Sequence, residues 1–284
     1  MNKIKTHSDY LKSVFRHKVL IHFFRIFLAV FFVSAWEICA EKGIIDSFIF
    51  SSPKRIVKCF IELTKNGFLI RHVWKTIYET LICFIFVMIA AITAAVLMWL
   101  NRNIFKVAEP FLVLLNSLPK SALAPVLIVW LGNNTKTVII AAVSVAVFGA
   151  MLSIYTSFTE TDKEKIKLIR TLGGKKRHIL FYLIFPSSLP TIVNAMKVNL
   201  GLSLVGVIIG EFLAAKEGLG YLIIYGSQVF KMDWVLLSIV LLSILCPVLF
   251  PLPQQKFLIL PQGAPLLVCE TPLVAPRIVG GINV

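Results

Sequence analysis

Six long apolar stretches with few charges constrain this chain more than any other feature. They cover about residues 23–40, 76–100, 110–131, 137–158, 191–214 and 234–250. A helix needs about 20 mostly apolar residues to cross the hydrocarbon core of a bilayer. Apolar residues run continuously here instead of alternating with polar ones, which favours helices over the strands of a membrane barrel. The sequence therefore predicts an all-α fold, a polytopic membrane bundle of about six transmembrane helices.

The composition agrees with a lipid environment. The 284 residues are 58% hydrophobic and 15% charged, whereas soluble domains are roughly 45–50% apolar and about 25% charged. The formal net charge is +15, and the basic residues lie mostly between the apolar stretches. That distribution favours basic loops beside anionic headgroups over binding to nucleic acid. The cysteines form no CxxC pair and the histidines have no ligand spacing, so we predict no metal site.

The chain divides into three parts by composition. A basic N-terminus, 1–22, precedes a transmembrane domain, 23–250, and an atypical proline-rich tail, 251–284. No convincing cleavage site follows the basic start, so we expect an uncleaved first helix and a cytoplasmic N-terminus. The density of proline prevents a regular helix in the tail, and a shifted reading frame or a truncated gene would explain its change of character.

Six crossings from a cytoplasmic N-terminus place the loops 101–106 and 159–190 in the cytoplasm. The second loop carries seven basic residues between Lys163 and Arg177, as the positive-inside rule expects. The segment 40–75 opposes the rule, because it carries seven lysines and arginines and would lie outside. Within it, Ser51-Ser52-Pro53 is typical of a helix start, and 55–65 predicts a short amphipathic surface helix.

The loop 159–190 is the most informative segment. Its first part, from Asp162, predicts a short helix that ends at Gly173-Gly174. A second amphipathic stretch follows, and we expect Pro186 and Pro190 to break the chain before the fifth span. A helix, glycine and helix held outside the membrane suit the docking of a partner protein. From the residues alone, a solvated basic loop is an equally good interpretation.

Polar residues near prolines in the third span indicate a transport path. We expect Pro119 and Pro125 to break this helix, and broken helices often line the path in transporters. Asn116, Ser117 and Ser121 could supply polar pore groups beside the break. A simple packing kink explains the prolines equally well.

The order of residues in the loop resembles the coupling loop of binding-protein-dependent ABC importer permeases. That motif runs Glu-Ala-Ala, three residues, Gly, nine residues, Ile-x-Leu-Pro. Here Lys167-Leu168-Ile169 takes the Glu-Ala-Ala place, Gly173 takes the place of the motif glycine, and Leu183-Ile-Phe-Pro186 takes the end. The spacing is kept and the Glu-Ala-Ala letters are not. Arg170-Thr-Leu-Gly173 is typical of the nitrate/sulfonate/taurine branch.

Further short motifs between about residues 36 and 245 resemble the same branch. They are Trp36-Glu37, Phe48-x-x-Ser51-x-Pro53, Pro119, Pro125, Trp130-Leu-Gly132, Asp162-x-Glu164, Gly210-Glu-Phe-Leu-Ala214 and Gly218-Leu-Gly-Tyr-Leu222. Any one of them alone is a weak signal, and together they are a strong one.

The resemblance implies a pore-forming subunit in a bacterial plasma membrane. Its implied partners are a second copy of the chain, two ATPase subunits, an extracytoplasmic solute-binding protein and membrane lipid, without nucleic acid. The implied cargo is a small anion of the nitrate, sulfonate or taurine type, or a pyrimidine-type vitamin precursor. The resemblance assigns ATPase coupling to seven loop positions: Glu164, Lys167, Leu168, Ile169, Arg170, Gly173 and Pro186.

Two charges in the fifth span could belong to the pore or its gate. Lys197 and Glu211 are fourteen residues apart, about 21 Å along a helix, so they cannot pair. Charges in membrane helices usually face a pore or a partner. Lys197 could instead extend to the cytoplasmic interface. We expect Glu211 near the outer surface, where it could cap the gate or contact the binding protein.

The chain is not expected to be an enzyme. It lacks the G-x-x-x-x-G-K-[ST] phosphate loop, and no nucleophile and base are paired. We therefore expect that it binds no cofactor and that a separate chain hydrolyses ATP. The alternatives are an ion-coupled secondary transporter, which predicts paired buried carboxylates and an inverted repeat, and a membrane scaffold without a transport role.

Overall fold

A computed structural model describes residues 7–249, with side-chain surroundings given except at 7–16, 18, 120, 121 and 124. Its helices are α1 His7–Glu41, α2 Ser47–Phe50, α3 Pro53–Lys65, α4 Phe68–Leu100, α5 Arg102–Ser117, α6 Lys120–Leu131, α7 Thr135–Thr159, α8 Lys163–Thr171, α9 Lys176–Ile179, α10 Phe185–Ala214, α11 Leu219–Gln228 and α12 Met232–Leu249. No strand occurs within 7–249. The predicted all-α membrane bundle is confirmed. The expectations for 1–6 and for the tail 251–284 lie outside the described residues.

The polar segments lie at two opposite ends of the bundle. At one end, the "α8 end", α4 and α7 finish, α10 begins, and Lys176 Nζ donates to the Leu100 carbonyl at 3.3 Å. At the other, the "α11 end", α4 and α7 begin, α10 finishes, and Lys75 Nζ donates to Thr135 Oγ1 at 2.9 Å. The segments 101–106 and 159–190 therefore share one end of the molecule, as the expected topology requires.

Small residues let α4, α7 and α10 form the centre of the bundle. Ala91 and Ala95 of α4 and Ala142 and Ala146 of α7 are fully buried. A methyl group added at Gly206 of α10 would lie 2.9 Å from the α7 backbone. Close approach of this kind gives membrane helices their packing energy. Gly206 therefore serves contact inside the bundle of one chain.

The third apolar stretch forms two helices, with the expected break at Pro119. Five helices of the described chain are long and apolar enough to cross a membrane. The sixth passage is shared by α5 and α6, whose 16 and 12 residues are each too few. Leu118 between them is extended, with ψ 140°, because Pro119 disfavours the helical conformation of the residue before it. Pro125 lies inside α6 without ending it, so the expected break there is wrong.

The expected break before the fifth span is also wrong. Helix α10 begins at Phe185 and contains both Pro186 and Pro190. Pro186 is the second residue of α10, a position at which helices tolerate proline. A π-helical turn, Leu180–Ile184, joins α9 to α10, so residues 176–214 form one continuous helical segment.

Helix α3 packs across the α11 end beside α12, and α1 lies at the periphery. The Ser52 hydroxyl accepts from the Arg55 N–H and caps α3, with Pro53 in the first turn. Ile56 and Cys59 of α3 are buried against α12 and the start of α4. The membrane-spanning window of α1 buries nothing inside this chain, so its surface is left to lipid or to other subunits.

Candidate functional site

Helix α8 is a short protruding helix with well-defined ends. The Asp162 carboxylate accepts from the Glu164 N–H at 2.9 Å and caps its start. Gly173 has φ +80°, and a methyl group at Gly174 would collide with Ile169. Only glycine adopts such a positive φ without strain. The glycine pair that the sequence singles out is therefore the C-terminal stop of α8.

The two faces of α8 differ in what they contact. Ile166 and Ile169 pack against the buried core at the α8 end. Leu168 and Leu172 point outward and are 60% and 78% exposed. Glu164, Lys167 and Arg170 are exposed around them. An apolar patch with a charged rim on a segment outside the membrane spans is typical of a protein–protein contact.

The segment after α8 is tied to three spanning helices. Ser188 Oγ of α10 donates to the Ser157 carbonyl of α7 at 3.4 Å, and Lys176 holds the end of α4. The buried side chains Ile179, Leu180 and Ile184 belong to the same core as α4 and α7. Pro186 is half-buried at the start of α10. The segment that follows α8 is therefore in direct contact with α4 and α7 and continues into α10.

The predicted pore residues lie together at the α5–α6 break, apart from Lys197 and Glu211 on α10. Asn116 and Ser117 end α5 with exposed side chains, and the Ser117 hydroxyl donates to the Val113 carbonyl at 2.9 Å. Asn116 Oδ1 lies next to Gly149 of α7. Pro119 lies in the break itself, and Ser121 falls among the side chains that are not described. Lys197 is half-buried in the middle of α10.

Glu211 lies at the α11 end, and its carboxylate is enclosed by protein. The residue is only 1% exposed. Its Oε1 accepts from Thr76 Oγ1 of α4 and its Oε2 from the Gly220 N–H, both at 2.7 Å. A carboxylate at a helix N-terminus is stabilised by the helix dipole. Glu211 therefore joins α10 to α4 and to the start of α11.

The N-terminus of α11 has side-chain partners for three successive N–H groups. Gly218 donates to His72 Nδ1 at 2.9 Å, Leu219 to Thr76 Oγ1 at 2.8 Å, and Gly220 to Glu211. Gly218 has φ +121°, and a methyl group there would collide with the Glu211 carboxylate. The resemblance indicated Gly210-Glu and Gly218-Leu-Gly as motifs, and the structure shows that the two meet.

Sequence reasoning missed a second buried carboxylate, Glu79. Glu79 of α4 is fully buried, and it lies close enough to Glu211 to interact with it. Lys75 Nζ lies 3.5 Å from Glu79 Oε1. The sequence signal for this ion pair was the four-residue spacing of Lys75 and Glu79 at the start of an apolar helix. The predicted helix began only at 76, so the pair was divided between a loop and a span.

The bundle of membrane helices carries the protruding helix α8 at one end. At the other end, Glu211, Thr76, His72 and the start of α11 form a buried hydrogen-bonded cluster, the Glu211 clasp. Together these features define a multi-pass transport subunit. The chain belongs to the family of binding-protein-dependent transport system inner membrane components, whose model matches residues 86–255. It is the permease subunit of an ABC importer in the inner membrane, as the resemblance implied. The paired buried carboxylates that a secondary transporter predicts are present, but family membership shows that they belong to an ABC permease.

Known relatives support this assignment. The formylaminopyrimidine transport permease protein ThiX of Halalkalibacterium halodurans is 29% identical over 186 residues, which cover 66% of this chain and 74% of the relative. The taurine transport system permease protein TauC of Escherichia coli is 22% identical over 219 residues, covering 75% and 79%. The inward-facing MetNI methionine ABC transporter has the same fold, with a TM-score of 0.58 and 21% identity over 64% of this chain and 91% of the matched chain.

Proposed function

We propose that two copies of this permease, two ATPase subunits and an extracytoplasmic binding protein import a small organic anion of the sulfonate or taurine type. The single observation that carries the proposal is α8, a capped helix with an exposed apolar patch outside the membrane spans. Similarity to TauC supports the anion class. Similarity to ThiX favours a second candidate, a formylaminopyrimidine.

In this proposal the ATPase subunits dock on α8 from the cytoplasm. Leu168 and Leu172 enter the docking groove, while Glu164, Lys167 and Arg170 form its charged rim. Lys167 takes the place of the usual Glu of the motif, so we expect it to meet an acidic residue of the ATPase where the usual Glu would meet a basic one. ATP is bound and hydrolysed by those subunits, and this chain contributes no cofactor site.

Closure of the ATPases displaces α8 and, through it, the starts and ends of the spanning helices. We assign the path to the α5–α6 break, with Asn116, Ser117, Pro119 and Ser121, and to Lys197 on α10. Lys197 would attract an anion that has entered the membrane. Glu211 and the start of α11 hold the outer end, where opening must separate α11 from α4.

Co-purification tests the docking step. Leu172→Glu places a charge in the apolar patch, so we expect the ATPase to be lost from permease captured through a tag on the permease. Ile44→Glu is the matched control, because Ile44 is 71% exposed in a loop at the α11 end. Recovery of ATPase with Leu172→Glu at the control level would contradict docking at α8.

A further inference from the structure

A cavity of about 320 Å³ opens at the α11 end between α4, the start of α7 and the turn after α10. Its walls are Lys75, Glu79, Asn133, Asn134, Thr135, Ala214, Ala215, Lys216 and Glu217. Because pockets for small molecules begin near this volume, the cavity is large enough for a compact solute.

The Glu79 carboxylate is the unsatisfied group of this cavity. Lys75, Thr135 and Glu211 surround it, yet neither oxygen accepts a hydrogen bond within standard distance from any described residue. Lys75 gives its hydrogen bond to Thr135 and faces Glu79 only as a charge at 3.5 Å. A buried carboxylate whose charge is met by one ammonium at 3.5 Å, with no hydrogen bond of normal geometry, is incompletely satisfied, so a further donor brought by a ligand would be favoured.

Some of the other side chains that line the cavity are paired within the protein, and others are exposed at its mouth. Glu217 is held by Arg71 at 2.5 Å, and the Asn134 amide donates to the Leu131 carbonyl. Ala214 and Ala215 end α10, where the helix dipole is negative and favours a cation. Lys216 and Asn133 are exposed at the mouth of the cavity. The interior therefore attracts a donor, and the mouth carries a positive charge.

We propose that this cavity recognises a nitrogen-bearing solute, with the Glu79 carboxylate accepting from its ammonium or amino group and Lys216 facing its acidic or electron-rich end. The proposal rests on the proposed function and narrows its substrate class. Aminosulfonates and aminopyrimidines both offer such a nitrogen, whereas nitrate and plain alkanesulfonates do not. Within 7–249 no group of three His, Cys, Asp or Glu residues could hold a metal ion.

Thermal stabilisation of the purified permease–ATPase complex, without the binding protein, tests the proposal. The probes are taurine, ethylamine, aminopyrimidine and ethanesulfonate, which is taurine without its amino group. We expect the three nitrogen compounds to raise the unfolding temperature and ethanesulfonate to leave it unchanged. Glu79→Gln should weaken nitrogen-compound binding at least tenfold, and Glu62→Gln, on the exposed side of α3, should not. Equal effects of taurine and ethanesulfonate, or no effect of any probe, would overturn the site.

Lys216→Gln provides a second variant in case Glu79→Gln fails to fold, because Lys216 is exposed. It should weaken taurine and leave ethylamine unchanged, since only taurine has an acidic end. Equal weakening of both compounds, or of neither, would count against this arrangement. If ATP-driven uptake and ATPase co-purification persist while the probes fail, the proposed function stands and only this inference falls.

Discussion

At the scale of single residues, the clasp around Glu211 depends on two glycines and one hydroxyl. Gly218 and Gly220 leave room for the carboxylate, and Thr76 both donates to Glu211 and accepts from Leu219. A sequence motif can indicate that these residues matter. It cannot show that they meet, because His72 and Thr76 are more than 130 positions from their partners in the chain.

Gly218→Ala should destabilise the permease more than Gly43→Ala. Both glycines have positive φ, but a methyl group at Gly43 meets nothing within 4 Å, whereas at Gly218 it collides with Glu211. We expect a loss of about 1–2 kcal/mol at Gly43 from the backbone alone, and about 1–3 kcal/mol more at Gly218 from overpacking. Thermal unfolding in detergent measures the difference. Equal losses would show that the carboxylate does not fill this space.

Thr76→Val should lower stability by about 1–3 kcal/mol, because it leaves a buried carboxylate oxygen and the Leu219 N–H without partners. Thr93→Val, on an exposed position of the same helix, is the matched control and should change stability little. The same unfolding measurement applies. A loss of stability at Thr76 no larger than that at Thr93 would contradict a stabilising role for the Glu211 clasp.

At the scale of helices, local sequence signals predict some ends well and others poorly. The Ser52-Pro53 start of α3 and the glycine stop of α8 follow from side-chain chemistry within a few residues. The continuity of α10 through Pro186 and Pro190 does not. Whether a proline ends a helix depends on the position of the first turn, and tertiary packing at Ile184 and Ser188 decides that position.

Asp162→Ala should loosen α8 by about 0.5–2 kcal/mol, the usual worth of an N-cap. Hydrogen exchange of the amides within 163–171 should accelerate severalfold to about thirtyfold. Asp46→Ala removes the equivalent cap of α2 at the other end of the bundle and should leave these amides unchanged. Unaltered exchange after Asp162→Ala would mean that packing, and not the cap, holds α8 in place.

At the scale of the whole molecule, the basic segment 40–75 opposed the positive-inside rule. The structure shows that five of its seven lysine and arginine side chains make ion pairs: Lys54 with Glu37 and Glu41, Arg55 with Asp233, Lys58 with Glu62, Arg71 with Glu217, and Lys75 with Glu79. These ion pairs join α3 to α1 and to α12, and α4 to the turn between α10 and α11, all at the α11 end. Composition alone could not separate such charges from those that orient a chain in the membrane.

Cysteine labelling tests which side each end faces. In a background without the native cysteines, Ile44→Cys should react with an impermeant maleimide on intact cells. Leu172→Cys, at the α8 end, should react only after the membrane is opened. Both positions are exposed in this chain, and expression without the ATPase subunits leaves Leu172 uncovered, so reactivity reports the side of the membrane and not burial. The reverse pattern would place α8 outside and contradict docking of a cytoplasmic ATPase.

Helix α10 runs without interruption from the segment beside α8 to Glu211. Its 30 residues span about 45 Å, so one continuous helix would reach both the proposed ATPase-docking end and the proposed solute cavity. Linkage then makes the coupling reciprocal. If occupancy of the outer cavity changes how tightly the complex holds nucleotide, nucleotide must change the affinity for the solute by the same factor, and a titration of either one reports on both.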